Sequence, residues 1–582
     1  MTLRQKLSYI LGDAFEKCGY GRTYGLVTVS NRPDLCQFQC NGAMAAAKQY
    51  KKAPIAIAGE IAAKLNGHEV FALIEAVPPG FININITDNA LTEMMNGMSA
   101  DARLLLPAMD KRVIVMDYGG ANVAKPLHVG HLRSAILGES MRRLALFLGH
   151  EVISDVHLGD WGLQMGLVMA SIEEEQPQLV YFDKGYTGQY PKEPPVTLDD
   201  LNVIYPAASA RSKTDAEFAA KAAQITVELQ DLRPGYYALW KQIWNVSVAD
   251  LEKNYTALGV HFDKWLGESD SEKYIPQVIE ILTERGLLIE SEGAKVVEVA
   301  LPDDKEPMPP MLIVKSNGGD IYGTTDLGTI LQRMQDWKPD EIWYFTDTRQ
   351  SLHFKQVFRC AALAGFLGDT QCFHVNNGTV NGKDGKPYKT REGGVMRLSD
   401  MIQTVTENAY QKISEAVSDD AERAETAKMV GVAAMKIGDM INHRAKDYIF
   451  DMERFLASEG KTGPYLQYTA VRIQSVLKKA RAAKERFGLI LPPEAAVERE
   501  LMLSLTCVSE TLLRAFEEKA PNMFCEALFG IAWVFNRFYF ENRILTCEDE
   551  ERRASWLSLL ELTGRMIDRL LDIIGIEVPE RM

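Results

Sequence analysis

Two histidines three residues apart, His128 and His131, stand at the predicted start of a helix. Their rings would lie on one helix face, beside backbone N–H groups that the first turn leaves unpaired. Such donors suit the oxygens of a polyphosphate, above all while charge moves onto a departing pyrophosphate. Gly130 would let a base or ribose approach the backbone closely. The residues alone leave an alternative open, in which the two histidines cap the helix or bind a metal ion.

The elements around these histidines follow the order strand, glycine loop and helix. Residues 113–116 read as a buried strand, residues 119–120 are the Gly-Gly loop, and apolar residues recur at helical spacing after His131. This order is typical of the start of a doubly wound α/β nucleotide-binding fold. The α/β pattern is predicted to resume at residues 312–314 and 342–345. We therefore expect a Rossmann-type domain over residues 109–398.

Two further domains are predicted on either side of this one. Residues 1–108 begin with an amphipathic helix and contain the alternating strand 81–86, which together indicate a small α+β domain. Residues 399–582 are helical in period almost throughout and predict an all-α bundle. Residues 176 to about 240 are rich in Tyr, Pro and charge, and we predict that they are irregular and belong to an insertion of about 165–300.

Bulk composition bounds the class of protein. The chain has 582 residues, which favours about three domains. The net charge of -15 argues against indiscriminate DNA binding but leaves room for a local basic face that binds RNA. We find neither a signal peptide nor an apolar run long enough for a membrane span, so we expect a cytoplasmic protein without membrane contact. Cys36 and Cys40 lack a nearby histidine and predict buried thiols, so we expect no structural zinc.

Several longer segments resemble the class I aminoacyl-tRNA synthetases in their arginyl-tRNA synthetase form. The first is the segment from Asn122 to Ser134, which contains both histidines. The others are His157–Gly166, Tyr322–Leu327, Asp347–Phe354, Glu459–Tyr468 and the terminal Gly575–Met582. The resemblance covers essentially the whole chain. It implies a class I catalytic domain with an insertion and a C-terminal anticodon-binding domain.

The resemblance also implies an activity: ATP activates L-arginine to arginyl-adenylate, and arginine then passes to tRNA(Arg). The residues implied around the amino acid are Asp117, Asn122, Tyr322, Asp326 and Gln350. A guanidinium offers five donors and no acceptor, so its pocket must supply carboxylates, and we expect Asp326 to be its partner. Tyr322 and Asp326 are four residues apart and would share one helix face. The alternative for Asp326 is a helix cap.

One motif departs from the pattern of the class. The second lysine of the Lys-Met-Ser-Lys-Ser signature, which stabilises the activation transition state, is replaced by Thr390 in the corresponding stretch 387–393. Lys389 and Arg391 flank it and are expected to reach the phosphates of ATP. In arginyl enzymes of this kind the lysine before the histidine signature is thought to substitute, which implies a catalytic role for Lys125 beside His128 and His131. A solvated surface lysine is the alternative for Lys125.

Contacts with tRNA are expected at both ends of the chain. Arg472, Lys479 and Arg486 are seven residues apart and are predicted to share a face of the helix from 466 to 487, while Ile473, Leu477 and Ala480 turn to the core. Tyr465 and Tyr468 offer stacking platforms for unpaired bases. The resemblance further implies that Phe38, Gln39 and Asn41 touch the tRNA elbow and that Met582 lies near the anticodon loop.

The predicted mechanism needs ATP with Mg²⁺ but no protein-bound metal and no covalent nucleophile. The arginine carboxylate attacks the α-phosphorus, and the 2′-hydroxyl of the terminal tRNA adenosine then attacks the acyl carbon. The family implies that tRNA binds before activation and that the enzyme is a monomer. Two rival functions remain at this point. One is an unrelated adenylyltransferase that shares the histidine signature, and the other is a catalytically inactive paralogue that binds tRNA.

Overall fold

The computed structural model describes residues 1–314, 322–386, 388, 396–413 and 419–582. These residues form two compact units. The terminal unit combines Met1–Met109, Ser458–Asp572 and Val578–Met582, and the central unit combines Asp110–Ala457 with Ile573–Glu577. In the described ranges, no helix is long and apolar enough to cross a membrane.

The first part of the terminal unit is the predicted α+β domain. Its helices are α1 (Leu3–Lys17), α2 (Gly42–Tyr50), α3 (Pro54–Leu65) and α4 (Asp88–Ala100), and its strands are β1 (Val27–Val29), β2 (Phe38–Cys40), β3 (Phe71–Val77) and β4 (Phe81–Ile86). The strands form one antiparallel sheet in the order β1-β2-β4-β3. Helix α1 begins at a capping box in which the Thr2 hydroxyl accepts the backbone N–H of Gln5.

A parallel sheet forms the centre of the central unit. Its strands are β5 (Val113–Asp117), β6 (Glu151–Asp155), β10 (Glu341–Tyr344) and β11 (Gln371–His374), in the order β11-β10-β5-β6. The strand order reverses between β5 and β10, so the carboxyl ends of these two strands mark the topological switch point where α/β sheets bind ligands. The strands predicted at 113–116 and 342–345 are confirmed as β5 and β10, and the structure shows that the two are neighbours in this sheet.

The prediction for residues 312–314 was wrong in one respect. They do form a strand, β9 (Met311–Val314), but this strand lies in a separate antiparallel sheet with β7 (Leu288–Ser291) and β8 (Ala294–Val297). A short run of apolar residues carries no information on strand direction, because direction depends on the partner strands. A further parallel pair joins β12 (Val380–Asn381) to β13 (Tyr448–Ile449).

Helices surround these sheets. In the central unit they are α5 (Val129–Leu148), α6 (Leu163–Glu175), α7 (Leu198–Arg211), α8 (Ala216–Gln230), α9 (Pro234–Ala257), α10 (Glu268–Ser271), α11 (Ile275–Glu284), α12 (Tyr322–Asp336), α13 (Ser351–Leu363), α14 (Leu398–Lys412), α15 (Asp420–Met440) and α16 (Met452–Phe455). One face of the parallel sheet packs on α12 and α13 through a fully buried core that includes Val115, Ile342, Leu327, Ile330 and Val357.

The predicted irregularity of residues 176–240 was wrong for most of that segment. Helices α7 and α8 and the start of α9 fill it from Leu198 onward. Pro206 lies inside α7 and Pro234 opens α9, and it was the richness in residues such as proline that led to the prediction of an irregular segment. The capping box of Thr197 and Asp200 was the available signal for α7, because the Thr197 hydroxyl accepts the backbone N–H of Asp200.

The remaining helices belong to the C-terminal part of the terminal unit. They are α17 (Gly463–Ala482), α18 (Ala496–Thr506), α19 (Val508–Glu518), α20 (Asn522–Glu541) and α21 (Glu550–Ile574), the last two residues of which fall in the central unit. The predicted all-α region is thus confirmed as helical, but α14, α15 and α16 belong to the compact central unit, which extends to Ala457 instead of ending at 398. Buried residues at helical spacing do not reveal which neighbouring layer buries them.

The two parts of the terminal unit are joined by polar contacts. The side chain of Asn96 in α4 donates to the carbonyl of Ile490 (2.9 Å) and accepts the backbone N–H of the same residue (2.9 Å). Arg499 in α18 donates to the Ile86 carbonyl (2.7 Å) and to Asp88 Oδ1 (2.6 Å). These contacts attach the N-terminal α+β domain to the C-terminal helices.

Candidate active site

The loop after β5 brings the backbone from the sheet to the histidine helix. Gly119 and Gly120 have φ angles of 99° and 64°, a left-handed conformation that glycine adopts without strain. A Cβ atom on Gly119 would approach the Tyr255 hydroxyl to 3.0 Å, so the position has little space for a side chain. Asn122 then forms a bridge with Gly159, and helix α5 begins after His128.

The histidines cap the helix that they begin. The backbone N–H of Gly130 donates to Nδ1 of His128 (3.0 Å), and the backbone N–H of His128 donates to Nδ1 of His131 (3.1 Å). The ring centroids are 3.9 Å apart. A neutral imidazole whose Nδ1 accepts carries its proton on Nε2. Within the described ranges neither Nε2 atom has a hydrogen-bond partner, so capping and donation to a ligand are compatible roles.

Both histidines are held in the neutral form. Burial lowers the pKa of His131 to about 3, and the neighbouring His128 contributes in the same direction. Burial also lowers the pKa of His128, with Lys125 and Arg349 adding repulsion. The pair is therefore a set of neutral N–H donors near pH 7, surrounded by cationic side chains that favour an anion.

A cavity of about 460 Å³ opens beside these rings at the switch point of the sheet. One wall is the loop after β5 with the start of α5, and the opposite wall is the segment after β10 together with residues 377–380. Its described lining consists of Gly119, Gly120, Asn122, His128, Val129, Gly130, His131, Ser134, Phe345, Thr346, Asp347, Arg349, Gln350, Asn377, Gly378, Thr379, Val380 and Tyr388. Of the predicted site residues, the cavity brings together Asn122, His128, Gly130, His131 and Gln350.

Lys125, also predicted at this site, is directed to the insertion. Its ammonium lies 4.4 Å from the centroid of the Tyr205 ring in α7, within the range of a cation–π interaction. Lys389, Thr390 and Arg391 lie outside the described residues. Arg349 is a cation of the cavity wall that we did not assign from the sequence, and its guanidinium pairs with Asp347 (2.8 Å) while the side chain stays 81% exposed.

The residues predicted around arginine occupy three different places, and two of them, Asn122 and Gln350, line the cavity described above. Asp326 and Tyr322 both lie on α12, and the side chain of Tyr322 lies outside the described part, so their shared helix face stays a prediction. Asp326 Oδ2 is 2.6 Å from Nε2 of His353 in α13, so a histidine orients this carboxylate. Asp117, in contrast, is buried at the end of β5, where its Oδ2 accepts from Arg333 (2.6 Å). Its contact with arginine stays a prediction, and the substrate would have to compete with Arg333 for this carboxylate.

A buried acidic cluster lies next to this region. Asp117, Asp155 and His157 have ligand atoms within 4.8 Å of one another, a spacing that could suit a metal ion. The guanidinium of Arg333 donates to both carboxylates, at 2.6 and 2.9 Å, and already supplies the positive charge there. Burial lowers the pKa of His157, but the hydrogen bond to Asp155 and the charges of Asp155 and Asp117 together outweigh it and raise that pKa to about 8.

Glu268, at the start of α10, is a further candidate that the sequence analysis missed. Burial and, to a smaller extent, the nearby Asp160 and Asp326 raise its pKa to about 7. Burial likewise raises the pKa of Asp160 to about 6, although Ser269 donates to it. A carboxyl group whose pKa is raised by burial and by other carboxylates gains free energy when a cation arrives. Nothing in its local sequence distinguishes Glu268 from the charged residues around it.

The predicted elbow-binding residues lie in the N-terminal sheet and its edge. Phe38 is buried, with 5% of its surface exposed, and the Gln39 amide donates to Asn83 Oδ1 (3.0 Å). Asn41 is exposed just before α2. Phe38 and Asn41 line one cavity of about 570 Å³, whose other walls come from α1, α18 and α19. Gln39 lies in the adjacent strand position.

The predicted bundle residues lie together on α17. Tyr468 is 48% exposed, and the Arg472 guanidinium lies 4.7 Å from its ring and 5.2 Å from the ring of Tyr539. The Tyr465 hydroxyl accepts from the Asn536 amide (2.9 Å). Met582 is half-buried at the end of the terminal unit.

The prediction that Arg486 shares the face of Arg472 was wrong. Helix α17 ends at Ala482, after which Arg486 pairs with Glu551 (2.6 Å). The stripe of Ile473, Leu477 and Ala480 is confirmed as buried. The seven-residue spacing is valid only while the helix continues.

Comparison with known proteins agrees with this arrangement. The family model described as tRNA synthetases class I (R), catalytic domain, matches residues 93–452. The DALR anticodon binding domain matches residues 466–582, and the arginyl tRNA synthetase N terminal domain matches residues 2–86.

Full-length relatives extend the match over the whole chain. It is 48% identical to an arginine–tRNA ligase from Alkaliphilus oremlandii, with 100% of both chains covered, and 49% identical to one from Agathobacter rectalis, with 98% of both covered. Among solved structures, the arginyl-tRNA synthetases of Plasmodium falciparum and Thermus thermophilus share its fold, with TM-scores of 0.82 and 0.80 at 22% identity, covering 100% of this chain and 99% and 100% of theirs. The chain belongs to the arginyl-tRNA synthetase family of class I.

Proposed function

We propose that this protein attaches L-arginine to tRNA(Arg) through arginyl-adenylate, with the site at the switch point of the parallel sheet. The observation that carries the proposal is the histidine pair, whose Nδ1 atoms are used in capping and whose neutral rings line a cavity. Full-length identity of 42–49% to arginine–tRNA ligases supports the substrate assignment. The rival functions, an unrelated adenylyltransferase and an inactive paralogue, find no support in these matches.

ATP would bind with its phosphates at the start of α5. His128 and His131 would donate to phosphate oxygens from neutral rings, and Gly130 would let the nucleotide approach the backbone. As pyrophosphate departs, these fixed donors stabilise the growing charge without reorganising. Lys125, Lys389 and Arg391 are the cations proposed to assist them. For Lys125 this requires the ammonium to leave the ring of Tyr205, 4.4 Å away. Arg349 on the opposite wall joins this set.

Arginine would bind with its guanidinium between Asp326 and Glu268. The hydrogen bond from His353 orients the Asp326 carboxylate, and the raised pKa of Glu268 supports a cation as the ligand of this acidic site. Tyr322 and Gln350 complete the side-chain pocket, and Asn122 and Asp117 are assigned to the α-amino and carboxyl groups. A buried carboxylate left without a partner is costly, so neutral side chains of similar size would be rejected.

Transfer follows activation. The 2′-hydroxyl of the terminal adenosine attacks the acyl carbon, the acyl–phosphate bond breaks, and AMP leaves with the electron pair. No side chain forms a covalent intermediate in this scheme, so positioning supplies most of the acceleration. We assign tRNA recognition to the terminal unit, with residues 1–108 at the elbow through Phe38, Gln39 and Asn41, and the C-terminal bundle at the anticodon through Tyr465, Tyr468, Arg472 and Met582. We assign the chemistry to the catalytic domain in the central unit, which extends from Asp110 to Ala457.

Magnesium fits this site as a companion of ATP. Among the described lining residues Asp347 is the carboxylate, and it already pairs with Arg349. Mg²⁺ in such sites is held by one or two carboxylates together with substrate phosphates, so ATP would supply most of the ligands and the ion would neutralise phosphate charge. We further propose that the protein is a cytoplasmic monomer and needs no structural zinc.

A pyrophosphate-exchange assay tests the function. The purified protein, ATP and labelled pyrophosphate are combined with each of the twenty amino acids, with and without tRNA(Arg). We expect exchange with arginine alone, and only when tRNA is present. Exchange driven by another amino acid would overturn the arginine pocket, and absence of exchange under all conditions would support the inactive paralogue. Asp326→Ala should abolish arginine dependence while ATP binding persists, and normal arginine affinity in this variant would contradict the role of Asp326.

A further inference from the structure

The helix that carries the two histidines also carries a fully buried arginine. Arg133 follows His131 by two residues in α5, and its side chain has no exposed surface. Its Nε lies 2.9 Å from Oδ2 of Asp439, which is equally buried in α15. Two buried charges are retained at a cost in desolvation, so their placement calls for an explanation beyond stability.

The same guanidinium reaches a second element. Its Nη1 donates to the backbone carbonyl of Lys446 (2.7 Å), and its Cζ lies 5.1 Å from the centroid of the Tyr448 ring. Arg133 therefore connects the histidine helix to both α15 and the segment 442–449, which we call the brace. One planar guanidinium thus links α5 to two other elements, to α15 by an ion pair and to the brace by a hydrogen bond.

The brace holds the opposite wall of the nucleotide cavity. Arg444 donates to the carbonyl of Asn376 (2.8 Å) and its own carbonyl accepts the N–H of Gly378 (2.9 Å), while Asp447 Oδ1 accepts the N–H of Thr379 (2.7 Å). A Cβ atom on Gly378 would come within 2.6 Å of the Lys446 backbone, so the brace and the wall are in close contact. Asn377, Gly378, Thr379 and Val380 line the cavity.

We infer that Arg133 and Asp439 are positioning residues that set the separation of the two walls between which ATP binds. Arg133 connects these elements. Its ion pair with Asp439 reaches α15, which packs against α5, and its hydrogen bond to the Lys446 carbonyl reaches the brace. Neither residue lines the cavity among the described residues, so both act through the groups they hold. The inference rests on the proposed function, since it assigns ATP to this cavity.

The proposed arginine-binding residues allow the KM for arginine to serve as a reference for the KM for ATP. Asp326, His353 and Glu268 lie on α12, α13 and α10, and none of the contacts of Arg133 described above involves these helices. A change in the wall separation should therefore weaken ATP binding more than arginine binding. General loss of folded protein would lower the number of active sites and leave both KM values unchanged. The split between the two KM values separates positioning from a purely structural role.

The test uses Arg133→Lys in the full-length chain. Lysine keeps the positive charge but cannot contact Asp439 and the Lys446 carbonyl with the same rigid fork. We expect the KM for ATP in pyrophosphate exchange to rise about tenfold while the KM for arginine changes less than twofold, because a shifted wall no longer places its donors on the bound ATP. Asp439→Asn should shift the same KM in the same direction, and the double variant should show less than the product of the two effects.

Arg142→Lys is the matched control. Arg142 lies on the same helix, is 19% exposed, and pairs with Glu139 (3.6 Å) and Asp263 (3.7 Å), away from the brace. Its KM for ATP should stay within twofold of the unchanged chain. An unchanged ATP KM in folded Arg133→Lys overturns the inference, and failure of both Arg133→Lys and Asp439→Asn to fold also counts against it. If the unchanged chain itself shows no arginine-dependent exchange, the proposed function fails instead.

Discussion

In each ring of the histidine pair, Nδ1 accepts a backbone hydrogen bond from within the chain, which leaves the proton on Nε2. The sequence alone left helix capping and phosphate binding as alternatives. In the structure the two roles are compatible, because capping uses Nδ1 and leaves the Nε2–H group for a ligand. Capping selects the tautomer, and the tautomer supplies the donor. Burial keeps both rings neutral by lowering their pKa values.

His128→Asn and His128→Gln separate these two functions of the ring. Asparagine can still cap α5, because its short side-chain oxygen reaches the first-turn N–H groups, but it offers no donor at the position of Nε2. We expect kcat for activation to fall about 100-fold or more in His128→Asn, as when one oxyanion donor is removed, with an unchanged melting temperature. His128→Gln, whose amide reaches the Nε2 position, should lose less activity and more stability. Stopped-flow kinetics and thermal melting measure the two quantities, and equal losses of activity in the two variants would contradict the scheme.

Glu268 gives arginine binding a pH dependence. Its pKa in the free protein is raised to about 7 by burial and by Asp160 and Asp326, and a guanidinium binds only the ionised carboxylate. Arginine must therefore displace a proton below pH 7, and its KM should rise up to about tenfold per unit as the pH falls from 7 to 6. Above pH 8 the KM should be flat.

Glu268→Gln is the matching variant. It should raise the arginine KM at pH 8 and remove the difference between pH 6 and pH 8, while the ATP KM measured in the same exchange assay stays constant. Because His157 and Asp160 also titrate nearby, the comparison is between the slopes of the two proteins. Parallel slopes would show that another group is responsible.

At the scale of elements, the sequence predicted the strands and helix that carry the histidines but not what those elements pack against. Residues 113–116 and the helix after His128 were correctly placed because strand, glycine loop and helix follow one another locally. Strand β9 was predicted in the parallel sheet but lies in a separate antiparallel sheet, and helix α7, which contains Pro206, was not predicted. The roles of Glu268, His353 and Arg133 depend on partners that are distant in the sequence. His353 and its partner Asp326, for example, are 27 residues apart. No local pattern encodes such pairs.

Helix α15 buries a lysine whose titration should change the stability of the chain. Lys436 has no exposed surface, donates to the Gly575 carbonyl (2.5 Å), and has its pKa lowered by burial to about 7. In the unfolded chain the pKa of lysine is about 10.4, so between pH 7 and 10 the unfolded state binds the extra proton. Folding stability from this group therefore rises with pH in that window, by up to about 1.4 kcal/mol per pH unit, and is lowest below pH 7.

Lys436→Met isolates this contribution. The melting temperature of the unchanged chain minus that of the variant should increase as the pH is raised from 7 to 9, because methionine has no proton to lose. Lys428→Met, at an exposed position of the same helix (64% exposed), is the control and should show a constant difference over the same range. A constant difference for Lys436→Met as well would mean that the lysine stays charged when buried.

At the scale of the whole molecule, the two ends of the sequence belong to one compact unit. Residues 1–109 pack with the C-terminal helices, although more than 300 residues separate them in the chain. Asn96 with the Ile490 backbone and Arg499 with Asp88 and Ile86 are polar contacts of this junction. Both proposed tRNA-binding surfaces, around Asn41 and around Tyr468, are therefore carried by the same unit. Weakening the junction should affect tRNA before it affects the small substrates.

Asn96→Ala provides the test of this junction. The substitution removes a reciprocal pair of hydrogen bonds and leaves the N–H and carbonyl of Ile490 without their side-chain partner. Each of these groups that water does not reach should lower the free energy of unfolding by about 1–3 kcal/mol. We expect a lower melting temperature of the terminal unit and a KM for tRNA in aminoacylation that rises several-fold, with the ATP and arginine KM values unchanged. Asn408→Ala is the control, because Asn408 lies exposed on α14 in the central unit and donates to Thr404 of its own helix. A tRNA KM that stays constant while the melting temperature falls would show that tRNA binds the two surfaces independently of how firmly they are joined.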